Sequence, residues 1–388
     1  MGNKFSISLI SPKEVEKFPT LYQDWERLLE SKENLELLYQ SPQWFEHLLT
    51  IDPHYNDLVL GIVKDNFGQT IGIVPIRIDH YTLTFDLSSY MLWKIHLRTA
   101  SILGSQPLIP QDENIYNQLF MSLMTAFPEI QCIYMGSVPV DSFLWQYLNT
   151  DKGNERYWIP QVVDGLQTIH ALLLPETFDS YLSKLKRKKR YNLQRQVKLL
   201  QDHSGGRLDL IRVESADQIS SFLEDAVSIA RHSWQQRRIG ARIENNQKWY
   251  EKLKDLANRG FLCAYLLKCV NEPYAFALGY QFKDVYHYVE IAYDESFAKF
   301  SPGTVLLYLL TQDLIKNKSL KKLNFGLSDH PYKQTFGNIH LRGAQILLWR
   351  STFLNRIKRT SHLAFRGGIS LIKTYFHKGK STPADEGS

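Results

Sequence analysis

The residues of this chain whose types and spacing could do chemistry fall between about Phe261 and Phe336. Within that stretch, Ser301-Pro302-Gly303-Thr304 has the composition of a helix start. Serine suits the N-cap, and proline suits the first helical position because its missing N–H would have had no partner there. Glycine lets a ligand approach the backbone closely. Amides left unpaired from Ser301 onward, at the positive end of the helix dipole, would cradle a phosphate or diphosphate. The Thr304 hydroxyl adds a donor, and Lys299 just upstream adds charge. An ordinary capped helix has the same composition, and Ser41-Pro42 repeats the cap elsewhere without the glycine.

Groups able to move protons lie on either side. Glu290, in a strand-like run, could take a proton from a nucleophile or make a cross-strand ion pair. His287 stands three residues earlier. The two-residue period of a strand puts the two on opposite faces, so one of them at most lines a cleft. His287 also reads as a packed aromatic within Tyr286-His287-Tyr288. The loop from Ser328 to Lys333 follows another strand, and such ends are where ligand-binding groups collect in open α/β sheets. There Asp329 could be a base, Lys333 could bind a phosphate or an acidic substrate, and Tyr332 could protonate a leaving group. Asp329-His330-Pro331 reads equally as a turn.

Holding these groups in place takes a sheet with helices on its faces. Residues 261–269, 274–282 and 285–293 read as strands, followed by a loop, a helix over 302–316 and a strand over 322–325. The first half has the same order. Its strands fall at 58–64, 70–78 and 81–87, with a loop at 104–111, a helix over 112–126 and a strand over 130–135. Three antiparallel strands followed by a helical crossover predict an α/β chain with a mixed sheet, and the repeated order predicts two tandem modules. The expected division is 1–165 and 166–355, then a basic extension over 356–388 that ends in a disordered tail. Three helices are expected between the two sets, over 178–200, 217–238 and 245–257. The comparable loop of the first half ends in Asp112-Glu113. Those carboxylates would satisfy their own helix start and repel a phosphate, which places the ligand in the second half.

Charge sharpens the picture. The chain has a formal net charge of +6, which favours anionic ligands without marking a nucleic-acid-coating protein. Lys184, Lys186, Arg187, Lys188, Lys189, Arg190, Arg195 and Lys198 crowd one helix with an apolar stripe. That face is either solvated or an electrostatic lip for an anion. Residues 357–376 mix cations with apolar residues and could lie on an anionic membrane, as peripheral contact at the inner face. Cys132, Cys263 and Cys269 are too few for a disulfide framework and lack zinc spacing, so they read as core thiols and no metal is expected. The N-terminus lacks the apolar region of a secretory signal, Gly2 with Ser6 makes a weak myristoylation pattern, and no apolar run is long enough to span a bilayer. A cytoplasmic protein is expected.

Tyr293-Asp294, Ser301-Pro302-Gly303, Asn324-Phe325-Gly326 and Tyr332-Lys333, in this order, resemble the acetyltransferase domain of BioF2-like and CelD-like proteins, within the GNAT superfamily and similar in build to Fem-type aminoacyltransferases. Arg190-Tyr191-Asn192-Leu193 resembles that family's Arg-Asn-Leu helix. The resemblance covers residues 178–336, and a degenerate GNAT unit would account for the first half. It departs from the family at Asn324, where an aspartate is usual, at Ser328, where glycine is common, and in lacking a longer glycine-rich phosphate loop.

The resemblance implies acyl transfer, usually from an acyl-CoA such as acetyl-CoA, to an amine or hydroxyl. The acceptor would be a small molecule or a lipid-linked sugar of polysaccharide biosynthesis. Tyr293, Lys299, Ser301, Pro302, Gly303 and Thr304 would hold the cofactor, its pyrophosphate near Gly303 and its pantetheine arm along the strand 285–293. A backbone N–H of that strand would stabilise the oxyanion. Glu290, Asp329, Tyr332 and Lys333 are the candidate catalytic groups. Two alternatives stay open: a Fem-type transferase drawing on aminoacyl-tRNA, and a non-catalytic GNAT-like module in exopolysaccharide assembly.

Overall fold

Runs of β-branched and aromatic residues form the strands of a mixed α/β fold, as expected. In chain order these are β1 (Phe5–Ile10), β2 (Leu58–Asp65), β3 (Thr70–Leu87), β4 (Tyr90–Ile102), β5 (Cys132–Pro139), β6 (Trp158–Leu173), β7 (Leu208–Val213), β8 (Ala264–Cys269), β9 (Glu272–Phe282), β10 (Val285–Tyr293), β11 (Lys322–Leu327) and β12 (Ile339–Arg350). This computed structural model describes residues 5–378 apart from 33, 52–56, 88–89, 151–156, 235–242 and 271. The Gly2 pattern, the tail beyond Lys378 and the end of the helix expected over 217–238 lie outside the described residues.

The chain divides into two compact units, each assembled from separated segments. The first comprises Met1–Lys32, His54–Leu166 and Ala344–Ser388; the second comprises Glu33–Pro53 and Gln167–Gly343. β6 and β12 therefore each contribute to both.

In the first unit β1, β2, β3 and β4 pair antiparallel in that order, and β5 joins β4 in parallel. The strand expected over 81–87 is the outer part of β3, and the apolar run after it is β4. The helix Glu113–Ala126 packs Leu119, Phe120 and Leu123 into a core with Val74, Ile76, Ala100 and Ile133. Each such fully buried aliphatic or aromatic side chain contributes about 1.5–3 kcal/mol. Asp112 caps that helix, its carboxylate accepting from the amides of Asn114 (2.7 Å) and Ile115 (3.4 Å).

In the second unit β7, β8, β9 and β10 pair antiparallel, β11 joins β10 in parallel, and the end of β6 joins β11 antiparallel. One face, carrying Tyr265, Leu267, Ala277, Tyr286 and Phe325, packs on the helix Pro302–Lys316 through Val305, Leu306 and Leu310. The helix expected over 178–200 is two, Phe178–Lys184 and Arg187–His203, with the chain extended at Leu185 and Lys186. The break lets Leu182 and Leu193 both reach this same core. Side chains of the alternate parity meet other helices: Phe276 touches Phe222 of Ile219–Arg231, and Tyr280 touches Trp44 of Pro42–Ile51. The Pro42–Ile51 helix is also tied to the helix Gln247–Asn258 by His47 Nδ1 on Asp255 (2.6 Å), and it meets Arg259, just beyond that helix, by Glu46 (2.9 Å).

Candidate functional site

Two backbone irregularities make the site. The parallel ladder of β10 with β11 ends at His287↔Asn324, after three register pairs. Beyond it β10 runs on to Tyr293 and β11 to Leu327. Next to this opening, Val289 is an extra residue in β10: Tyr288 pairs with Gly279 and Glu290 with Leu278. Such a bulge kinks a strand and re-aims its side chains.

A cleft of about 640 Å³ fills the opening. Val289, Glu290, Ile291 and Tyr293 line it from β10, Leu327 from the end of β11 and Ser328 just beyond it, Ser301, Gly303 and Thr304 from the helix start, and Tyr332 and Lys333 from the short helix Pro331–Phe336. The structure therefore brings together Glu290, Tyr332, Lys333, Tyr293, Ser301, Gly303 and Thr304. Asp329, Lys299 and Pro302 do not line it. The Asp329 carboxylate accepts from the Thr168 amide at 3.0 Å, which fastens the loop to β6. Lys299 is exposed, its ammonium 4.8 Å from the centre of the Phe300 ring, and Pro302 is buried in the helix start.

The helix start differs in detail from the expected row of free amides. Ser301 adopts a left-handed conformation (φ 54°, ψ 49°), which is uncommon for a non-glycine residue. Its amide donates to Ala298 O (3.0 Å), and its carbonyl accepts from the amides of Thr304 (2.9 Å) and Val305 (3.1 Å). Its hydroxyl accepts from Gln196 of the basic helix Arg187–His203 at 3.3 Å. Proline has no N–H, so among the described residues the open donor at this terminus is the Gly303 amide. No side chain caps the helix. This is the reverse of the first unit, where Asp112 fills the corresponding place. A Cβ on Gly303 would lie 3.1 Å from Tyr293 Cδ1, so glycine here also makes room for the ring that walls the cleft.

The ionisable groups are shaped by burial. Lys333 is buried and donates to Phe325 O at 2.5 Å, and loss of hydration lowers its pKa to about 8. Burial first, then the charge of Glu290, raises Tyr332 to about 12, so its hydroxyl keeps its proton. Tyr332 stacks on His330 and meets Tyr288 edge-on, with ring centres 6.0 Å and 6.3 Å away. The buried Tyr288 hydroxyl has no hydrogen-bond partner among the described residues.

Asn324 ends the part of β11 that pairs with β10. Its amide nitrogen donates to Leu35 O and to Glu36 Oε1, both at 3.2 Å, and its oxygen accepts from the Gly326 amide at 2.9 Å. An aspartate could not make the two donations. Trp234 and Val289 also line the cleft and were not anticipated. No pattern in the sequence marks a bulge, and the segment around Trp234 reads as plain amphipathic helix. No group of three or more His, Cys, Asp or Glu able to hold a metal occurs among the described residues.

Residues 187–334 match the family model described as acetyltransferase (GNAT) domain. The second unit thus carries a GNAT-type acetyltransferase domain. The build is that of tandem, Fem-like GNAT modules. A structure described as FemX covers 84% of this chain and 95% of its own at 12% identity, with a TM-score of 0.53. A tandem GNAT protein from the clavulanic acid biosynthesis pathway covers 90% and 99% at 9% identity, with a TM-score of 0.51. A conserved protein of unknown function from Bacteroides thetaiotaomicron covers 84% and 97% at 11% identity, with a TM-score of 0.52. At these identities the likeness is one of fold. No curated protein matches the chain significantly.

Proposed function

We propose that the second unit transfers an acyl group from acyl-CoA, with acetyl-CoA the first candidate, to an amine or hydroxyl, and that the first unit is a supporting module. One observation carries this reading: an open strand edge at a bulge and an uncapped helix start face the same cleft. The Gly303 amide and Thr304 hydroxyl would hold the pyrophosphate, with Ser301 and Pro302 fixing the turn and Lys299 nearby as a cation. The pantetheine arm would lie along β10 between Val289 and Tyr293, beyond the end of its ladder with β11, and a backbone N–H of that strand would stabilise the oxyanion.

In this reading the acceptor attacks the thioester carbon, the new C–N or C–O bond forms, and the C–S bond breaks. Glu290 takes the proton from the acceptor. Tyr332 gives its proton to the departing thiolate. Lys333 supplies positive charge deep in the cleft. Asp329 acts by holding the loop that carries both, so we assign it a positioning role. Among acceptors we favour an amino sugar or a lipid-linked sugar of polysaccharide synthesis, met at a membrane surface by an otherwise cytoplasmic protein.

A second reading draws the acyl group from aminoacyl-tRNA. It is favoured by the basic helix Arg187–His203, whose Gln196 touches Ser301 at the cleft. Its charges would give binding that weakens steeply with salt. Thermal stabilisation separates the two, because a ligand that binds the folded state raises its melting temperature. Acetyl-CoA should stabilise the wild type, and Gly303→Glu, which must also shift the Tyr293 ring slightly, should lose that stabilisation when each protein is compared with its own ligand-free melting temperature. Stabilisation by tRNA alone, abolished by salt, would favour the second donor. Equal stabilisation of the variant by acetyl-CoA would show that the donor binds elsewhere.

A further inference from the structure

The hairpin of β3 and β4, in the first unit, has no part in the acyl-transfer reading. The two strands pair from Ile76↔Ile102 out to Leu87↔Tyr90, which makes a long arm. Along its middle, Leu83 and Leu97 are buried. At the outer end the alternation of buried and exposed positions stops. Tyr90, Met91, Leu92 and Trp93 are 75%, 55%, 58% and 66% exposed, and Leu87 on the opposite strand is exposed too. Successive side chains of a strand point to opposite faces. The pairing shifts by one residue here, Phe85 with Trp93 and Asp86 with Met91, so Leu92 is extra; Tyr90 and Trp93 lie on the face of Leu87 and Met91 on the other, and each face of this end therefore carries exposed apolar side chains.

That geometry selects among occupants. A protein partner packed on one face would leave the other in water, whereas a bilayer surface surrounds both. Tyrosine and tryptophan favour the boundary between lipid headgroups and hydrocarbon. The charge nearby complements an anionic surface. Lys94 and His96 follow the tip and are exposed. The helix Phe353–Lys378 packs beside it: Phe85, the cross-strand partner of Trp93, lies 5.2 Å from His362 and 5.3 Å from Phe365, ring centre to ring centre. Over residues 353–369 that helix carries Arg356, Lys358, Arg359 and Arg366 and no acidic residue. Arg366 pairs with Asp164 and Arg359 donates to Pro160 O, while Arg356 is exposed. Asp86, opposite Met91, accepts from Thr84 Oγ1.

We propose that this hairpin tip is a membrane-docking element, which sets Tyr90, Met91, Leu92 and Trp93 among the headgroups of an anionic bilayer with Lys94 at the phosphate level. No helix among the described residues is long and apolar enough to cross a membrane; docking through the hairpin would engage the facing leaflet reversibly.

The test uses the full chain with sedimenting vesicles of phosphatidylcholine, alone or mixed with phosphatidylglycerol. The wild type should pellet with the mixed vesicles. Leu92→Ser/Trp93→Ser should reduce that partition by about tenfold or more at unchanged melting temperature, and Lys94→Glu should remove the preference for anionic lipid. Brominated lipid should quench the wild-type fluorescence more than that of Trp93→Phe, which keeps the apolar surface and so reads out insertion even if the serine variant folds poorly. The proposal fails if the wild type ignores both vesicles, if it binds both compositions equally, or if quenching is the same in Trp93→Phe. It also fails if light scattering shows that the tip joins two copies and the serine variant merely makes them monomeric.

Discussion

His287 and Glu290 share a face of β10 although they stand three positions apart. Their cross-strand partners, Tyr280 and Leu278, are two apart on β9, and Val289 is the extra residue that reconciles the two counts. The expectation that they face opposite sides assumed an unbroken period of two; one inserted residue reverses the parity. They differ in depth. His287 is buried against Tyr39, with burial lowering its pKa to about 3, and Glu290 reaches the cleft. The carboxylate is thus the group we propose for proton transfer, and the imidazole is a neutral core group.

From that assignment, Glu290→Gln should slow acyl transfer by about 10²–10⁴-fold while stabilisation by acetyl-CoA persists. Tyr332→Phe should act in the same direction through the leaving thiolate. Thiol release from acetyl-CoA in the presence of amines and amino sugars is the measurement. An unchanged rate in both variants would exclude these groups from the chemistry.

Burial of neutral His287 predicts a pH effect. Its folded pKa lies below the ordinary 6.5, so the unfolded chain binds the proton first as pH falls, and stability is lost from about pH 6.5 downward toward 3. His47, His170 and His362 are lowered too, mainly by burial, and add to the slope. Denaturant unfolding of His287→Phe between pH 6 and pH 4 should show a slope shallower than the wild type by up to about 1.4 kcal/mol per pH unit. Parallel curves would mean that His287 is protonated in the folded state.

Asn324→Asp should destabilise the second unit by about 1–3 kcal/mol at neutral pH, since it removes two donated hydrogen bonds and sets a second carboxylate beside Glu36. Burial already raises the pKa of Glu36. Lowering the pH protonates the pair and should return part of the loss, read as a smaller difference in melting temperature from wild type. A variant as stable as wild type at neutral pH would show that the amide serves no structural purpose and that an aspartate was available at this position.

Much of this protein was legible in its residue order. Strand-forming runs, the helix begun by Ser301-Pro302 and the acidic cap at Asp112 are local matters, set by periodicity and by which side chains satisfy free amides. They were enough to read an α/β chain of two tandem modules, while the GNAT likeness came from the resemblance of particular residues and the ligand site around Gly303 is a proposal. Tertiary structure alone decided three things. It inserted Val289 as a bulge, because register belongs to a pair of strands and not to one. It turned the Ser301 carbonyl onto Thr304 and Val305, which reduced the expected row of free amides to one. It drew Asp329 away to the Thr168 amide, a partner 161 residues distant that no local pattern could name.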